Sequence, residues 1–364
     1  MFKIIKLMKR THYCVKDYMN YSYLKKIVTV IIAKALYFAL SKVIKTRRIA
    51  IIFSSCSVKF NNLSCLEREF DQREISFIRL TADITIKNIY NLAKSRLVLA
   101  DQTTPLLSNI TLRKESKLIQ VWHAGGAFKK IGYDAWNGSA EDLKRIKRIH
   151  GNTSYIVTSD SKLRNIYASA FHIPEKNVLS FGLLRSDQYF GRKRSRSANH
   201  IILWAPTFRT NSNGIRYCPI TAEEVNKLQE KLSKKGLILA LRLHPSLHWN
   251  PDFKALNWGE RELLDCILDS CTVITDYSSI IFDFSLFDGR IFWYIKDKEE
   301  FLKERGLYFD PEILLPDFVA HTIDDLIIKV LYNETKNTNM IRKEFMDACD
   351  GHACDRIVNF IKSI

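Results

Sequence analysis

Short apolar runs that alternate with amphipathic helical segments are the feature that most restricts the fold of this chain. The runs of a first series have the length of strands and lie at Ile49–Phe53, Ile75–Leu80, Leu97–Ala100, Leu118–Trp122 and Tyr155–Thr158. The segments with helical spacing lie near Ile84–Lys94, Ala140–Ile149 and Ser161–Ala170. This alternation is typical of an α/β fold, in which helices cover both faces of a parallel sheet.

The run Gly191–Ser197, which reads GRKRSRS, is charged, has no apolar period and interrupts the alternation. A second series follows it, with predicted strands at His200–Trp204, Leu237–Leu243, Thr272–Thr275 and Arg290–Tyr294. The predicted helices of this series lie at Ala222–Lys234, Arg261–Leu268, Ser278–Phe287 and, near the end of the chain, Met340–Ile361.

From these two series we predict two doubly wound domains, at 48–190 and 200–338, joined by a linker at 191–199. We expect residues 339–364 to form a helix that can cross back to the first domain. A chain of 364 residues is long enough for two such domains, each with its own core. Because sheets of this kind bind ligands beyond the carboxyl ends of their strands, we expect a site in the cleft between the domains.

The composition indicates an anionic partner. The chain carries 56 Lys and Arg against 39 Asp and Glu, a formal net charge of +17, which suits nucleic acid, an acidic membrane surface or a phosphorylated substrate. The cations are spread over both halves and the aromatic residues lie mainly in apolar runs, which argues against a nucleic-acid surface. The 8 cysteines form no C-x-x-C pair, which favours reduced thiols in a reducing compartment.

Residues 1–47 are basic and amphipathic, and they allow two interpretations. They could lie on anionic lipid, where each cation near the surface contributes about 1 kcal/mol, or form a helix packed on the first domain with a solvated basic face. Their most apolar part, Ile27–Leu40, is too short to span a bilayer and contains Lys34. No signal peptide is expected, because no apolar run with a cleavage site closely follows the basic start.

The first of four polar strand ends begins at His123, where a histidine can act as a general base near neutral pH or have a purely structural role. Gly125 and Gly126 follow and allow a ligand to approach the backbone, and Lys129 and Lys130 supply positive charge.

The second strand end, from Ala205 to Arg209, reads APTFR. Its turn carries the hydroxyl of Thr207 and the guanidinium of Arg209, which suits bidentate contact with phosphate or a surface ion pair. The third, from Arg242 to Pro245, reads RLHP and places His244 before a proline that stops the strand.

The fourth strand end, from Thr275 to Phe284, reads TDYSSIIFDF. The strand breaks at Asp276, and Ser278 and Ser279 begin a helix whose N–H groups and positive dipole end form an anion site. A later loop, RGLYFD, adds Arg305. The chain lacks the patterns of metal ligands, of a P-loop and of a hydrolase nucleophile elbow, so no metal and no cofactor is expected.

Together these stretches resemble the CDP-glycerol glycerophosphotransferase family, the polymerases and primases of teichoic acids and related capsule polymers. The resemblance covers about residues 95 to 358. Six motifs occur in the family's order: W-H with a glycine-containing K-K loop, A-P-T-x-R, R-x-H-P, T-D-Y-S-S-x-x-F-D, R-G-x-Y-F-D and a late D-G at Asp350-Gly351.

The resemblance implies two Rossmann-like domains in a GT-B-like arrangement, with the CDP-linked donor on the C-terminal domain. It implies that His123 is the catalytic base and that His244 is a second catalytic histidine near the donor pyrophosphate. The substrate-binding residues that we predict are Gly125, Gly126, Lys129, Thr207, Arg209, Arg242, Asp276, Ser278, Ser279, Asp283 and Arg305. One departure is the Ala-Gly-Gly-Ala-Phe that follows His123, where many members have Gly-x-Pro.

The implied reaction moves a polyol phosphate, glycerol phosphate first, from a CDP-polyol substrate to a hydroxyl of a lipid-linked acceptor and releases CMP. CDP-ribitol as the donor and a glycosyltransferase that uses a nucleotide-sugar are the alternatives. The implied partners are CDP-glycerol or CDP-ribitol, a lipid-linked polymer or glycan and an anionic membrane surface, without nucleic acid. The implied location is peripheral, on the cytoplasmic face of a bacterial plasma membrane.

Overall fold

The computed structural model describes residues 26–53 and 61–364. The strands are β1 (Arg48–Phe53), β2 (Ile78–Thr81), β3 (Ser95–Ala100), β4 (Lys117–Gln120), β5 (Thr153–Val157), β6 (Val178–Leu179), β7 (Ile201–Ala205), β8 (Arg209–Thr210), β9 (Arg216–Tyr217), β10 (Ile238–Leu241), β11 (Leu256–Asn257), β12 (Thr272–Thr275), β13 (Arg290–Tyr294) and β14 (Val319–Ala320).

The helices are α1 (26–43), α2 (Asn62–Gln72), α3 (Ile86–Ala93), α4 (Pro105–Asn109), α5 (Ala140–His150), α6 (Arg164–Phe171), α7 (Ala222–Ser233), α8 (Leu263–Leu268), α9 (Ile280–Phe284), α10 (Lys298–Glu304), α11 (Pro311–Leu314), α12 (Ile323–Tyr332), α13 (Thr338–Phe345) and α14 (Ala353–Ser363).

Twelve of these strands form two six-stranded sheets, in the orders β2-β1-β3-β4-β5-β6 and β11-β10-β7-β12-β13-β14. All pairs within them are parallel; in the second sheet, for example, Ile274 of β12 lies between Trp204 of β7 and Phe292 of β13. Strands β8 and β9 form a separate antiparallel hairpin. The predicted α/β class, with two doubly wound parallel sheets, is confirmed.

The long apolar runs form the central strands. Both faces of each sheet are covered by other elements, and every residue of β12, for example, is buried. Side-chain caps fix where several helices begin. Asn61 and Ser64 form a reciprocal capping box at the start of α2, and Thr221 and Glu224 form another at the start of α7.

Three apolar clusters form the core of the part of the chain that the structure describes. Helices α1, α3 and α4 cover one face of the first sheet, and α2 and α14 cover the other, where Ile357 of α14 packs in one cluster with Leu63 and Phe70 of α2. The last helix therefore lies on the first sheet, after the chain has completed the second. The third cluster contains the buried side chains of the second sheet and also Trp122 and Phe128, which follow β4. The two domains therefore share apolar packing.

Two predicted helices differ from their predictions in extent. The helix expected over Ser278–Phe287 is the five-residue α9, Ile280–Phe284. The helix expected over Met340–Ile361 is two helices, α13 and α14, because the chain turns at Gly351, whose φ is +94°. The charged run after Gly191 packs on the second domain, since Arg194 stacks over Phe284 and donates a hydrogen bond to the carbonyl of Ile267.

The basic N-terminal segment is described from residue 26 onward, and the predictions for residues 1–25 lie outside the described residues. Helix α1 buries Ala33 and Tyr37 against the first sheet. Its remaining surface exposes large apolar side chains between lysines, namely Ile27, Val28, Ile31, Ile32, Phe38 and Val43. Within 26–53 and 61–364, none of the helices is long and apolar enough to cross a membrane.

Candidate active site

The cleft between the two sheets holds two adjoining cavities of about 420 and 340 Å³. Both are lined by the same five polar residues, His123 from the first domain and Thr207, His244, Ser278 and Ser279 from the second. Each of these residues follows a parallel strand, so the carboxyl ends of the strands bring them together. The two predicted catalytic histidines thus face one shared space beside Ser278.

The backbone at the end of β4 directs His123 into the cleft. Trp122 has a φ of +52°, a left-handed conformation that costs roughly 1–3 kcal/mol for a residue with a side chain. The buried amide of Asn62 donates hydrogen bonds to the carbonyls of Val121, at 3.2 Å, and Trp122, at 2.5 Å. These bonds hold the strained turn, because the carbonyls would otherwise lie buried without partners.

The ring of His123 has the tautomer that a general base needs. Its Nδ1 lies 3.3 Å from the carbonyl oxygen of Asp101, which can only accept, so Nδ1 carries the proton and Nε2 keeps its lone pair. Desolvation by the surrounding cleft lowers the pKa of His123; the hydrogen bond with Asp101 opposes this effect, and the charge of Arg185 adds to it. The ring is therefore neutral near pH 7.

The ring of His244 has the opposite tautomer. The backbone N–H of Ser246 donates to Nδ1 of His244 at 3.1 Å, and the Ser246 hydroxyl lies 2.7 Å from the same atom. Because Nδ1 accepts, the proton of the neutral ring is on Nε2, which makes this ring a hydrogen-bond donor. Burial lowers the pKa of His244, and the charges of Arg216, Arg242 and Lys129 lower it further.

The larger cavity is lined by three cations, Lys129, Arg209 and Arg305, and none of the described residues that line it is a carboxylate. Burial lowers the pKa of Lys129 to about 8; the charge of Asp276 opposes this effect, and those of Arg305 and Arg209 add to it. A cation held in such surroundings gains from an anionic ligand, since the ligand replaces the solvation that burial removed.

The structure joins the predicted substrate-binding residues Arg209 and Asp276 in one ion pair. Asp276 lines neither cavity; it is buried, accepts hydrogen bonds from the backbone and hydroxyl of Thr207 at 2.9 and 2.8 Å, and lies 3.0 Å from Arg209. Arg209 also pairs with Asp297. The carboxylate of Asp276 therefore shapes the turn after β7, and Arg209 reaches the cavity with its charge shared between two carboxylates.

The serines line both cavities, but the helix that follows them is too short for the predicted anion site at a helix N-terminus. Helix α9 has five residues, so few aligned peptide dipoles add up at its start. The hydroxyl of Ser278 accepts a hydrogen bond from the backbone N–H of Ile280 at 3.3 Å and keeps its own proton for a ligand.

The two glycines of the His123 loop line the larger cavity, but packing explains them better than the predicted ligand approach. A Cβ on Gly126, whose φ is +57°, would lie 2.1 Å from the ring of Phe282 of α9. A Cβ on Gly125 would lie 2.7 Å from Met346 and 2.9 Å from Phe282. The loop after His123 is thus pressed against the second domain.

The segment around Arg305 also joins the domains. Lys129 and Leu307 form an antiparallel bridge, and the backbone N–H of Lys130 donates to the carbonyl of Gly306 at 3.2 Å. The hydroxyl of Tyr308 donates to Asp134 at 2.7 Å. The loop that carries Lys129 is therefore fixed to the domain opposite its own strand.

Comparison with known proteins agrees with this geometry. Residues 33–363 match the family described as CDP-Glycerol:Poly(glycerophosphate) glycerophosphotransferase. The chain belongs to this family. The six motifs predicted the family correctly, and with it a transferase of the enzyme class that moves substituted phosphate groups in teichoic acid synthesis.

Relatives of this glycerophosphotransferase-family chain include a teichoic acid ribitol-phosphate primase of Bacillus spizizenii, 30% identical over 76% of this chain and 77% of the relative. A teichoic acid glycerol-phosphate primase of Bacillus subtilis is 27% identical over 77% of this chain and 76% of the relative. The solved structure of the wall teichoic acid polymerase TagF covers 93% of this chain and 96% of its own, with a TM-score of 0.71 and 18% identity. The last likeness supports the GT-B-like fold.

The structure also shows site residues of this family member that the sequence did not predict. Arg185 lines the smaller cavity and pairs with Asp283, whose two oxygens each lie 2.8 Å from a nitrogen of the guanidinium. The carboxylate of Asp283, which was predicted to bind substrate, therefore binds Arg185. Arg216 of the β8–β9 hairpin lies over Phe208, which contacts the ring of His244. Arg242, which was predicted to bind substrate, also lines the smaller cavity.

Proposed function

We propose that this protein transfers glycerol phosphate from CDP-glycerol to a hydroxyl of a teichoic acid acceptor and releases CMP. One observation carries the proposal: two histidines, one from each domain, face a cavity lined by three cations and, among its described lining residues, by no carboxylate, and the Nδ1 contacts of the two rings favour opposite tautomers. A base and a hydrogen-bond donor around an anion pocket are what transfer between a diphosphate and a hydroxyl requires.

In this mechanism Nε2 of His123 removes the proton of the acceptor hydroxyl, whose oxygen attacks the phosphorus next to the polyol. The bond between that phosphorus and the bridging oxygen breaks, and its electrons leave with CMP. Nε2–H of His244 and the hydroxyls of Ser278 and Ser279 donate to the phosphate oxygens of the departing CMP. Lys129 and Arg305 offset the charge that the diphosphate brings into the cavity.

We place the cytidine of the donor in the smaller cavity. Leu263, Leu264 and Ile280 provide apolar walls there, while Arg242 and Glu262 provide polar groups for a nucleoside. Small-molecule sites combine apolar walls with a few polar groups in this way. The diphosphate would then lie where the two cavities meet, beside His244 and Ser278.

CDP-ribitol is the second candidate donor, because the ribitol-phosphate primase of Bacillus spizizenii is 30% identical to this chain. A donor screen distinguishes the candidates: CDP-glycerol, CDP-ribitol, UDP-sugars and GDP-sugars are each offered with a synthetic lipid-linked acceptor. The proposal predicts CMP release and a product heavier by one glycerol phosphate. Product formation from a nucleotide-sugar alone would contradict it, and ribitol phosphate transfer would assign the second candidate.

We infer that an anionic membrane surface is a further partner and that the protein acts there as a peripheral protein, on the cytoplasmic side where nucleotide donors are made. The support is helix α1, which exposes Ile31 and Ile32, each at 59%, beside Lys34. An apolar stripe flanked by lysines suits the boundary between lipid headgroups and acyl chains.

A further inference from the structure

Three successive backbone carbonyls, of Val121, Trp122 and His123, are held by two side chains from outside their strand. The amide nitrogen of Asn62 holds the first two, and a guanidinium nitrogen of Arg185 donates to the third at 2.9 Å. The amide oxygen of Asn62 accepts the backbone N–H of Arg185 at 2.8 Å, so the two holders are themselves connected. Each of the three carbonyls around the left-handed residue Trp122 therefore accepts a hydrogen bond from a side chain.

The side chain of Arg185 is held in position by contacts with the other domain. Its Nε and a terminal nitrogen donate to the two oxygens of Asp283 in α9, each at 2.8 Å, and the hydroxyl of Tyr189 donates to Asp283 at 2.9 Å. Arg185 is 8% exposed and Asp283 1% exposed. A planar guanidinium with two bonds to one carboxylate leaves its remaining nitrogen in a fixed direction, toward the carbonyl of His123.

We propose that Arg185 and Asn62 are positioning residues for His123, and that Asp283 anchors Arg185 so that the base is aligned only when the two domains are seated together. The inference rests on the proposed role of His123 as the general base. All three residues line the smaller cavity, but this role depends on the contacts of Asn62 and Arg185 with the turn at residues 121–123 and not on a contact with substrate. A displacement of the reacting atoms by about 1 Å can lower a rate about 100-fold, so a small loss of alignment is measurable.

The first experiment compares Arg185→Lys with wild type in CMP release from CDP-glycerol. Lysine keeps the charge but cannot bond both oxygens of Asp283 and the carbonyl of His123 at once. The expected result is a kcat lower by about 10- to 100-fold with a donor KM within about threefold, because alignment and not donor binding is lost. A folded Arg185→Lys protein with wild-type kcat would overturn the proposal.

Arg194→Lys is the matched control. Arg194 is also a partly buried arginine, and it stacks on Phe284 of the same helix α9, but it donates to Ile267 and lines neither cavity. Its kcat should stay within about twofold of wild type. An equal loss of kcat in the Arg194 and Arg185 variants would show that any loosening of α9 lowers activity and would overturn the specific role of Arg185.

The acidic limb of the pH profile of kcat gives a second measurement that a merely structural role would not move. Arg185→Gln removes a positive charge near His123, so the pKa of His123 and the midpoint of the limb should rise. Asp283→Asn leaves the charge of Arg185 uncompensated, so the midpoint should fall. The ionisable groups that line the two cavities together with His123 are Asp101, Lys129, Tyr167, Arg185, Tyr189, Arg209, Arg242, His244, Glu262, Tyr277, Asp283 and Arg305.

Midpoints that shift in opposite directions support the proposal, and unchanged midpoints in both folded variants contradict it. If Arg185→Lys does not fold, Asn62→Ser tests the same turn, since it removes the amide from the carbonyls of residues 121 and 122 and leaves the pair of Arg185 and Asp283 in place. A folded Asn62→Ser protein should lose about 10-fold in kcat, and wild-type kcat would count against the proposal.

The failure of this inference is distinguishable from failure of the proposed function. If His123→Asn keeps wild-type turnover, the proposed base is wrong and the positioning role falls with it. If His123→Asn is inactive while Arg185→Lys and Asn62→Ser are fully active, only the positioning role is refuted.

Discussion

Replacing Gly126 by alanine tests how closely the loop after His123 packs on the second domain. The new Cβ would lie 2.1, 2.2 and 2.5 Å from three ring atoms of Phe282, a side chain that is fully buried. The left-handed backbone at Gly126, with a φ of +57°, adds about 1–2 kcal/mol for a residue with a Cβ. Overpacking of a buried site costs typically about 1–3 kcal/mol. The sum predicts a loss of stability of about 2–5 kcal/mol.

Gly138→Ala is the matched control, because Gly138 has a φ of +88° and a Cβ added there would meet nothing within 4 Å. It should cost only the backbone contribution of about 1–2 kcal/mol. The difference between the two alanine variants therefore isolates the contact with Phe282. In a Phe282→Leu background the penalty of Gly126→Ala should shrink toward that of the control, as a double-mutant cycle measures.

The assay is urea unfolding followed by tryptophan fluorescence, together with CMP release. Gly126→Ala should lose most of its turnover, since the loop that it displaces begins directly after His123, whereas Gly138→Ala should keep it. Equal penalties for the two glycines, with the Gly126→Ala protein fully active, would refute the claim that the loop is pressed against Phe282.

Two further predictions follow from charge and exposure. Burial lowers the pKa of Lys129 to about 8, so its ammonium loses its proton between pH 7 and pH 9 and the donor KM should increase up to about 10-fold over that range. Lys129→Arg should remove this increase, because arginine keeps its charge at pH 9. The same increase of KM in the Lys129→Arg protein would contradict the assignment. Ile31→Glu should weaken co-sedimentation with phosphatidylglycerol vesicles about 10-fold, while Ile328→Glu, at a similarly exposed site on α12, should not; equal effects would refute the membrane surface on α1.

Much of the fold was predictable because parallel strands that are buried on both faces must be continuously apolar. Strands β12 and β13 lie at the predicted residues, Thr272–Thr275 and Arg290–Tyr294. Strands of two residues, such as β6 and β14, carry no detectable period, and the sequence did not predict them. The short length of α9 was also missed, since the apolar run after Ser279 continues past its end to pack in the core.

The site was predictable where residues follow strands, since the ends of parallel strands meet at one edge of a sheet. His123 and His244 were found by that rule. The residues that orient them were not, because Asn62 and Arg185 are 123 positions apart and nothing local links either to His123. Sequence also could not show whether a charged residue such as Asp276 faces a ligand or holds another side chain.

Donor binding and turnover by His123→Asn test the central claim most directly. Asparagine cannot accept a proton from the acceptor hydroxyl, so CMP release from CDP-glycerol should fall by about 10²- to 10⁴-fold. Calorimetry should show CDP-glycerol bound within about threefold of the wild-type affinity, since His244, Ser278, Ser279, Lys129 and Arg305 remain to bind the diphosphate. A folded His123→Asn protein that releases CMP at the wild-type rate would contradict the account.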